Sequence, residues 1–166
     1  TYNNDTLSDG YSWARANYFM EVSGTFKNKI SHDCIITLYY ADYHYTGDGT
    51  LDGDSLIKTD DGLYPSVIPN GYGNLKIADR TYQGNFVDGV FEGNGILSYT
   101  ADKNYVFDGK FTNNEFVYGT IYIDGVRVYN GNVVDGKNEG YGVQYYSNGN
   151  IEYEGEWKDG RPCGYG

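Results

Sequence analysis

"YEGEWKDGRPCGYG", Tyr153 to Gly166, sets out Tyr, Gly, a bulky ring and three further glycines at offsets that recur earlier in the chain. "YQGNFVDGVFEGNG" starts at Tyr82 and "YNGNVVDGKNEGYG" at Tyr129, each with Tyr, Gly, a bulky apolar residue and the same three glycines. Self-similarity of this kind marks a repeat architecture, in which one supersecondary unit buries its apolar face only by stacking on its neighbours. Between the first two copies lies "FDGKFTNNEFVYG" from Phe107. It is a degenerate copy: Phe107, Gly109 and Phe111 are kept, Asn114 stands at the turn, and Gly119 falls one residue out of step.

Each copy reads as a β-hairpin. A first strand alternates large and small residues, a turn closes at Gly89, Asn114, Gly136 or Gly160, and Gly-x-Gly opens the second strand. Alternation places Tyr153, Gly155 and Trp157 on one face. A glycine recurring at one register of a strand leaves a slot in which a ring from the neighbouring strand can lie. The expected ring ladder is Tyr82, Phe86, Phe107, Phe111, Tyr129, Tyr153 and Trp157. The repeat glycines that space it are Gly84, Gly89, Gly93, Gly95, Gly109, Gly131, Gly136, Gly140, Gly142, Gly155, Gly160, Gly164 and Gly166.

The pattern Tyr-x-Gly-x-Trp-x-x-Gly-x-x-x-Gly-x-Gly resembles the MORN (membrane occupation and recognition nexus) repeat, and Tyr153 to Gly166 matches it at every defining position. The resemblance implies an all-β fold: an elongated, twisted antiparallel sheet of tandem MORN-type hairpins. It also implies a scaffold or interaction arm, with phospholipid association in some members. Upstream, "GYGNLKIAD" from Gly71 reads as the second strand of one further copy, so the array is expected over residues 71–166. Residues 1–70 are expected to form a diverged β region that caps the array. Eroded copies are read there at "VSGTFKNK" from Val22, through Gly24 and Phe26, and at "SLIKTDDG" from Ser55, ending in Gly62. "IITLYYADY", Ile35 to Tyr43, is β-branched and aromatic enough for a buried strand.

Composition points the same way. The 166 residues favour one domain or one short repeat array over two independent globular domains. With 20 Tyr, 7 Phe and 24 Gly against 3 Pro, the chain buries rings in turn-dense β structure. Its formal net charge of -11, with lysines and arginines scattered singly, excludes nucleic acid as a partner and disfavours an anionic membrane. No run is long and apolar enough to span a bilayer, and the first residues do not form a signal peptide, so localisation is left open.

Three constellations could carry chemistry. His32 and Cys34 could pair as base and thiolate, but they sit in an apolar strand pattern with no orienting acid, which reads as a structural thiol. Cys34 and Cys163 read as two free thiols, with one long-range bridge as the alternative. The run "GDGTLDGDSLIKTDDG" from Gly47 supplies Asp48, Asp52 and Asp54 as weak calcium candidates, though at spacing unlike an EF-hand; an acidic solvated loop is the plainer reading. Tyr141, Tyr146 and Tyr165, read as outside the repeat register, are candidates for exposed contacts.

The function expected is therefore non-enzymatic and cofactor-free: a binding or scaffold module that meets a protein partner, or a second copy of itself, through an acidic, tyrosine-rich sheet. An extracellular carbohydrate or cell-wall module is the alternative, and phospholipid association ranks below it. The strand ending at Gly166 is expected to leave an uncovered edge that further sequence or self-association would cover.

Overall fold

The computed structural model describes residues 11–15, 18–27, 30–40, 43–59, 62–100 and 103–164, with side chains at 37, 43–49, 68–100 and 103–164. Among them every regular element is a strand, and all pairing is antiparallel between chain neighbours. The expected all-β fold of tandem hairpins is the one found. The chain falls into two compact units, Thr1–Ala78 with Asn85–Val90, and Asp79–Gly84 with Phe91–Gly166. The first contains β1 (Tyr11–Arg15), β2 (Tyr18–Lys27), β3 (Ile30–Tyr40), β4 (Tyr43–Thr59) and β5 (Gly62–Ile77). β6 (Arg80–Val87) contributes its first half to the second unit and its last residues to the first. β7 (Val90–Tyr99), β8 (Tyr105–Thr112), β9 (Glu115–Ile123), β10 (Val126–Val134), β11 (Lys137–Tyr145), β12 (Ile151–Lys158) and β13 (Arg161–Cys163) complete the series.

Turn chemistry sets the hairpins. At Asp124–Gly125, Asp135–Gly136 and Asp159–Gly160 both central residues have positive φ, with Asp near 50° and Gly between 71° and 80°. Those angles match the right-handed twist of the flanking strands, and Asp-Gly reaches them at low cost. The degenerate copy makes the same turn with Asn113 and Asn114, at 50° and 69°.

The ring face rests on one motif. In β10 and β11, Gly131 pairs with Gly142 and Val133 with Asn138, so the single residue Asn132 faces three, Glu139, Gly140 and Tyr141. This bulge needs a left-handed residue, and Gly140 supplies it at φ 64°. It also takes the Asn132 carbonyl out of the regular ladder, and the Tyr129 hydroxyl donates to that carbonyl at 3.0 Å. To reach it the Tyr129 ring lies across Gly142, where a Cβ would come within 2.6 Å of Tyr129 Cζ. Tyr82 lies across Gly95 in the same way, with 2.5 Å to its Cζ.

The first unit repeats this arrangement at Tyr45. Gly47 pairs with Gly73 and Gly49 with Pro69, so Asp48 faces Asn70, Gly71 and Tyr72, and Gly71 has φ 101°. The Tyr45 ring covers Gly73, and its hydroxyl donates to the Asp48 carbonyl. Gly71-x-Gly73 therefore has its first strand at Tyr45-x-Gly47, with the rest of the long β4–β5 hairpin inserted between them.

Each ring also locks the next copy. Tyr45 meets Phe86 edge to face at 5.5 Å, Tyr82 meets Phe111 at 5.2 Å, and Tyr129 meets Trp157 at 5.4 Å. Trp157, 4% exposed, donates its indole N–H to the Gly142 carbonyl at 3.1 Å. The turns are tied as well. Gly160 N–H donates to the Asn138 carbonyl at 3.0 Å, Asn114 N–H to Phe91 at 3.1 Å and Gly89 N–H to Pro69 at 2.8 Å. Beside them the Glu139 carboxylate accepts from Asp159 N–H at 2.9 Å, and Glu92 from Asn113 N–H at 3.1 Å.

Two expectations change. Gly-x-Gly does not open the second strand: β7 and β11 begin directly after the turn, and the first glycine is an internal bulge. The acidic run from Gly47 is not a loop but the greater part of β4, because pairing with β5 continues to Thr59 and Gly62. Val22 to Lys27 of "VSGTFKNK" lie in β2, whose hairpin partner is β3. His32 and Cys34 lie in β3, where the register with β2 shifts between the Ser23–Ile35 and Thr25–His32 pairs. The side chains of His32, Cys34, Asp52 and Asp54, and residues 1–10, lie outside the described residues.

A Cβ at residue 142 must displace the Tyr129 ring. Gly142→Ala should therefore cost about 1–3 kcal/mol, and most of that cost should vanish in a Tyr129→Ala background. Urea denaturation of the two single variants and the double variant measures the coupling, and simple additivity would count against the slot.

Trp157→Ala and Phe86→Ala, removing enclosed rings, should each cost about 3–5 kcal/mol. Unchanged thermal midpoints would place both rings outside the stabilising core.

Burial holds Tyr129 neutral, pushing its hydroxyl up to about 12, and burial and then the nearby Asp48 charge raise Tyr45 in the same direction. An unfolded tyrosine ionises near about pH 10. Below that both states keep the proton and stability is level; above it the unfolded chain ionises first, so stability falls until Tyr129 itself titrates near 12. Tyr129→Phe should flatten part of this alkaline loss in urea midpoints, and an equal slope would contradict the assignment.

Candidate functional site

The face opposite the rings is built by the same register. Where the slot glycine points inward, the residue before it points outward. Tyr118 precedes Gly119 and is 50% exposed; Tyr141 precedes Gly142 and is 54% exposed. Tyr72, before Gly73 in the first unit, is 51% exposed. Tyr141 therefore belongs to the repeat register and is not outside it, and Tyr118 was missed for want of that rule. Tyr146, 50% exposed, stands outside the register next to the turn into β12, its N–H donating to the Asn150 carbonyl at 2.9 Å. Tyr165 lies outside the described residues.

In the second unit Lys110, Tyr118 and Asn132 pair across β8, β9 and β10, and Tyr141 pairs with Glu156 across β11 and β12. Asn132 Nδ2 bridges the two sets by donating to the Tyr141 carbonyl at 3.3 Å. The Tyr141 hydroxyl donates to Glu154 Oε1 at 2.8 Å. That bond and the neighbouring carboxylates raise its pKa, so the hydroxyl stays a donor. A second row is tied by Asn130 Nδ2 to Thr120 Oγ1 at 2.8 Å. Glu152, Glu154 and Glu156 stand exposed along β12. Arg127 lies over the Tyr145 ring at 3.8 Å.

The ring face is open beside the degenerate copy. In the degenerate copy Gly109 pairs with Gly119 but Phe111 pairs with Phe116, so only Val117 is extra, and the positive φ falls on Gly119 itself at 140°. This accounts for Gly119 being one residue out of step. A smaller bulge needs no hydroxyl at its carbonyl, and Phe107 has none. The atoms nearest a Cβ on Gly109 are backbone, the Tyr118 carbonyl and Gly119 Cα, where the other copies have a tyrosine ring close by. Phe107 packs instead on Phe116 at 5.4 Å, Tyr99 at 6.2 Å and Tyr105 at 6.4 Å. Beside Phe107 lies an open groove of about 430 Å³ lined by Leu97, Tyr99, Tyr105, Phe107, Asn114 and Phe116. Arg80 stands over Tyr99 at 5.7 Å.

Of the ring-ladder residues, Tyr82, Phe86, Phe111, Tyr129 and Trp157 are buried, whereas Phe107 and Tyr153 are partly exposed. Phe91, which stacks on Tyr82 with centroids 3.7 Å apart, was not among them; its place two residues after the turn glycine is taken by Phe116 in the degenerate copy. Asp48, a calcium candidate, accepts from Tyr72 N–H at 3.1 Å and so braces the bulge. Among the described residues no three His, Cys, Asp or Glu side chains gather as a metal-holding group. Cys163 is a free, exposed thiol.

The MORN repeat profile matches the chain at residues 82–101, 129–151 and 153–166. No characterised protein matched the chain in sequence. MORN repeats are generally involved in protein or membrane binding, on an all-β fold that is a non-catalytic repeat family. The matched segments hold Tyr82, Tyr129 and Tyr153, with the slot and turn glycines that follow them, so the chain carries MORN repeats in these three places.

Proposed function

We propose that the chain is a non-catalytic module that binds a protein partner through the outward row of Tyr118 and Tyr141. The observation that carries this reading is the Tyr141 ring, half exposed and held in one orientation by its bond to Glu154. Aromatic residues anchor protein interfaces because they bury a large area at small entropic cost, and a ring already oriented loses less freedom on binding. Tyr118 and Tyr141 sit two strands apart, roughly 10 Å, on a flat polar face. The exposed carboxylates of β12 and the net charge of -11 favour a basic partner surface and oppose anionic lipid head groups.

Affinity capture with the intact chain and with a Tyr118→Ala/Tyr141→Ala variant tests the reading, with Trp157→Ala as the folding control. Proteins held by the wild type should be lost from the double variant at an unchanged thermal midpoint. Equal capture by both would overturn the assignment. So would binding to phosphatidylserine vesicles, or to a glycan array, that the double variant abolishes without any protein being held.

A further inference from the structure

We propose that the groove of the degenerate copy receives a lysine or arginine side chain from a basic segment of the partner. The inference rests on the protein-binding reading above and assigns the chemistry of one contact within it.

Four observations converge on the groove. It lies beside the copy whose bulge is one residue shorter: elsewhere a tyrosine ring lies across the slot glycine, and here the atoms nearest a Cβ on Gly109 or Gly119 are backbone. Its lining contains Tyr99, Tyr105, Phe107 and Phe116 and no charged side chain. Its volume, about 430 Å³, lies in the lower part of the range for ligand sites, which suits one long side chain rather than a folded surface. A guanidinium already stands at its rim, Arg80 over Tyr99 at 5.7 Å.

The electron-rich faces of these rings attract a cation, and the methylene stem of lysine or arginine covers apolar wall while its head stays near water. An apolar side chain would gain the wall but nothing from the field of the chain. With a net charge of -11, that field concentrates basic segments at the surface before any contact forms. The groove thus adds local selectivity to a general electrostatic attraction, and the two are separable by experiment.

The probe is a short capped peptide alternating glycine and arginine, titrated into the whole chain while the aromatic signals are followed by NMR. Lysine and norleucine versions serve as comparisons. The arginine and lysine peptides should shift the ring signals of Tyr99, Tyr105, Phe107 and Phe116. The norleucine peptide should leave them in place. Tyr105→Leu and Phe116→Leu keep apolar volume but remove a ring, and each should weaken arginine-peptide binding about three- to tenfold. If either variant loses its thermal midpoint, the wild-type ring shifts decide alone.

Equal shifts with norleucine would show an apolar pocket and overturn the proposal. Shifts confined to Glu152, Glu154 and Glu156, with groove rings unmoved, would also overturn it. The Tyr118→Ala/Tyr141→Ala variant should titrate like wild type at the groove. Failure of the capture experiment alongside a successful titration would therefore count against the outward row and leave the groove standing.

Discussion

A tyrosine hydroxyl bonded to the carbonyl opposite a β-bulge is the interaction on which the rest of this protein depends. The bulge makes the backbone irregular and leaves a polar group to be satisfied. The ring that reaches it must cross the neighbouring strand, which only a glycine allows at that point. Tyr45, Tyr82 and Tyr129 each lie over such a glycine, and the edge of each ring is then fixed for contact with the aromatic residue of the next copy. Local geometry and inter-repeat packing are thus one constraint.

That constraint also separates the two faces. Glycines and rings point one way, and the residue before each slot glycine points the other, so a polar row with Tyr118 and Tyr141 emerges without separate specification. Where the bulge is one residue shorter, as at Val117, Phe107 stands in the tyrosine's place, and an open groove lies beside it. Both candidate surfaces follow from how each copy handles one irregular residue.

Much of this was legible in the residues. Asp-Gly turns, Gly-x-Gly and the tyrosine spacing identify hairpins because they are short-range signals, and the antiparallel repeat follows from them. The Tyr45 copy escaped notice because an insertion within the β4–β5 hairpin carries its second strand away from the repeat spacing. The acidic run looked like a loop because aspartate and glycine favour turns, yet long-range pairing with β5 overrides that preference. The groove left one trace, the misplaced Gly119, whose meaning depends on counting residues in a bulge that composition does not reveal. Tyr118 and Tyr141 could have been read as a pair by counting back from the slot glycines.

The hydrogen bonds that join successive turns link residues only about twenty positions apart: Asp159 to Glu139, Asn113 to Glu92 and Gly89 to Pro69. No step of assembly within these copies has to wait for distant parts of the chain to meet, so the entropy lost in closing each loop is modest. Folding can start at whichever hairpin closes first and advance copy by copy, each completed ring offering an edge to the next. A copy that forms poorly by itself, such as the one at Phe107, is then carried by neighbours already in place. Selection on its ring face is relaxed to that extent, and a change that would cripple an isolated hairpin becomes raw material for a contact surface.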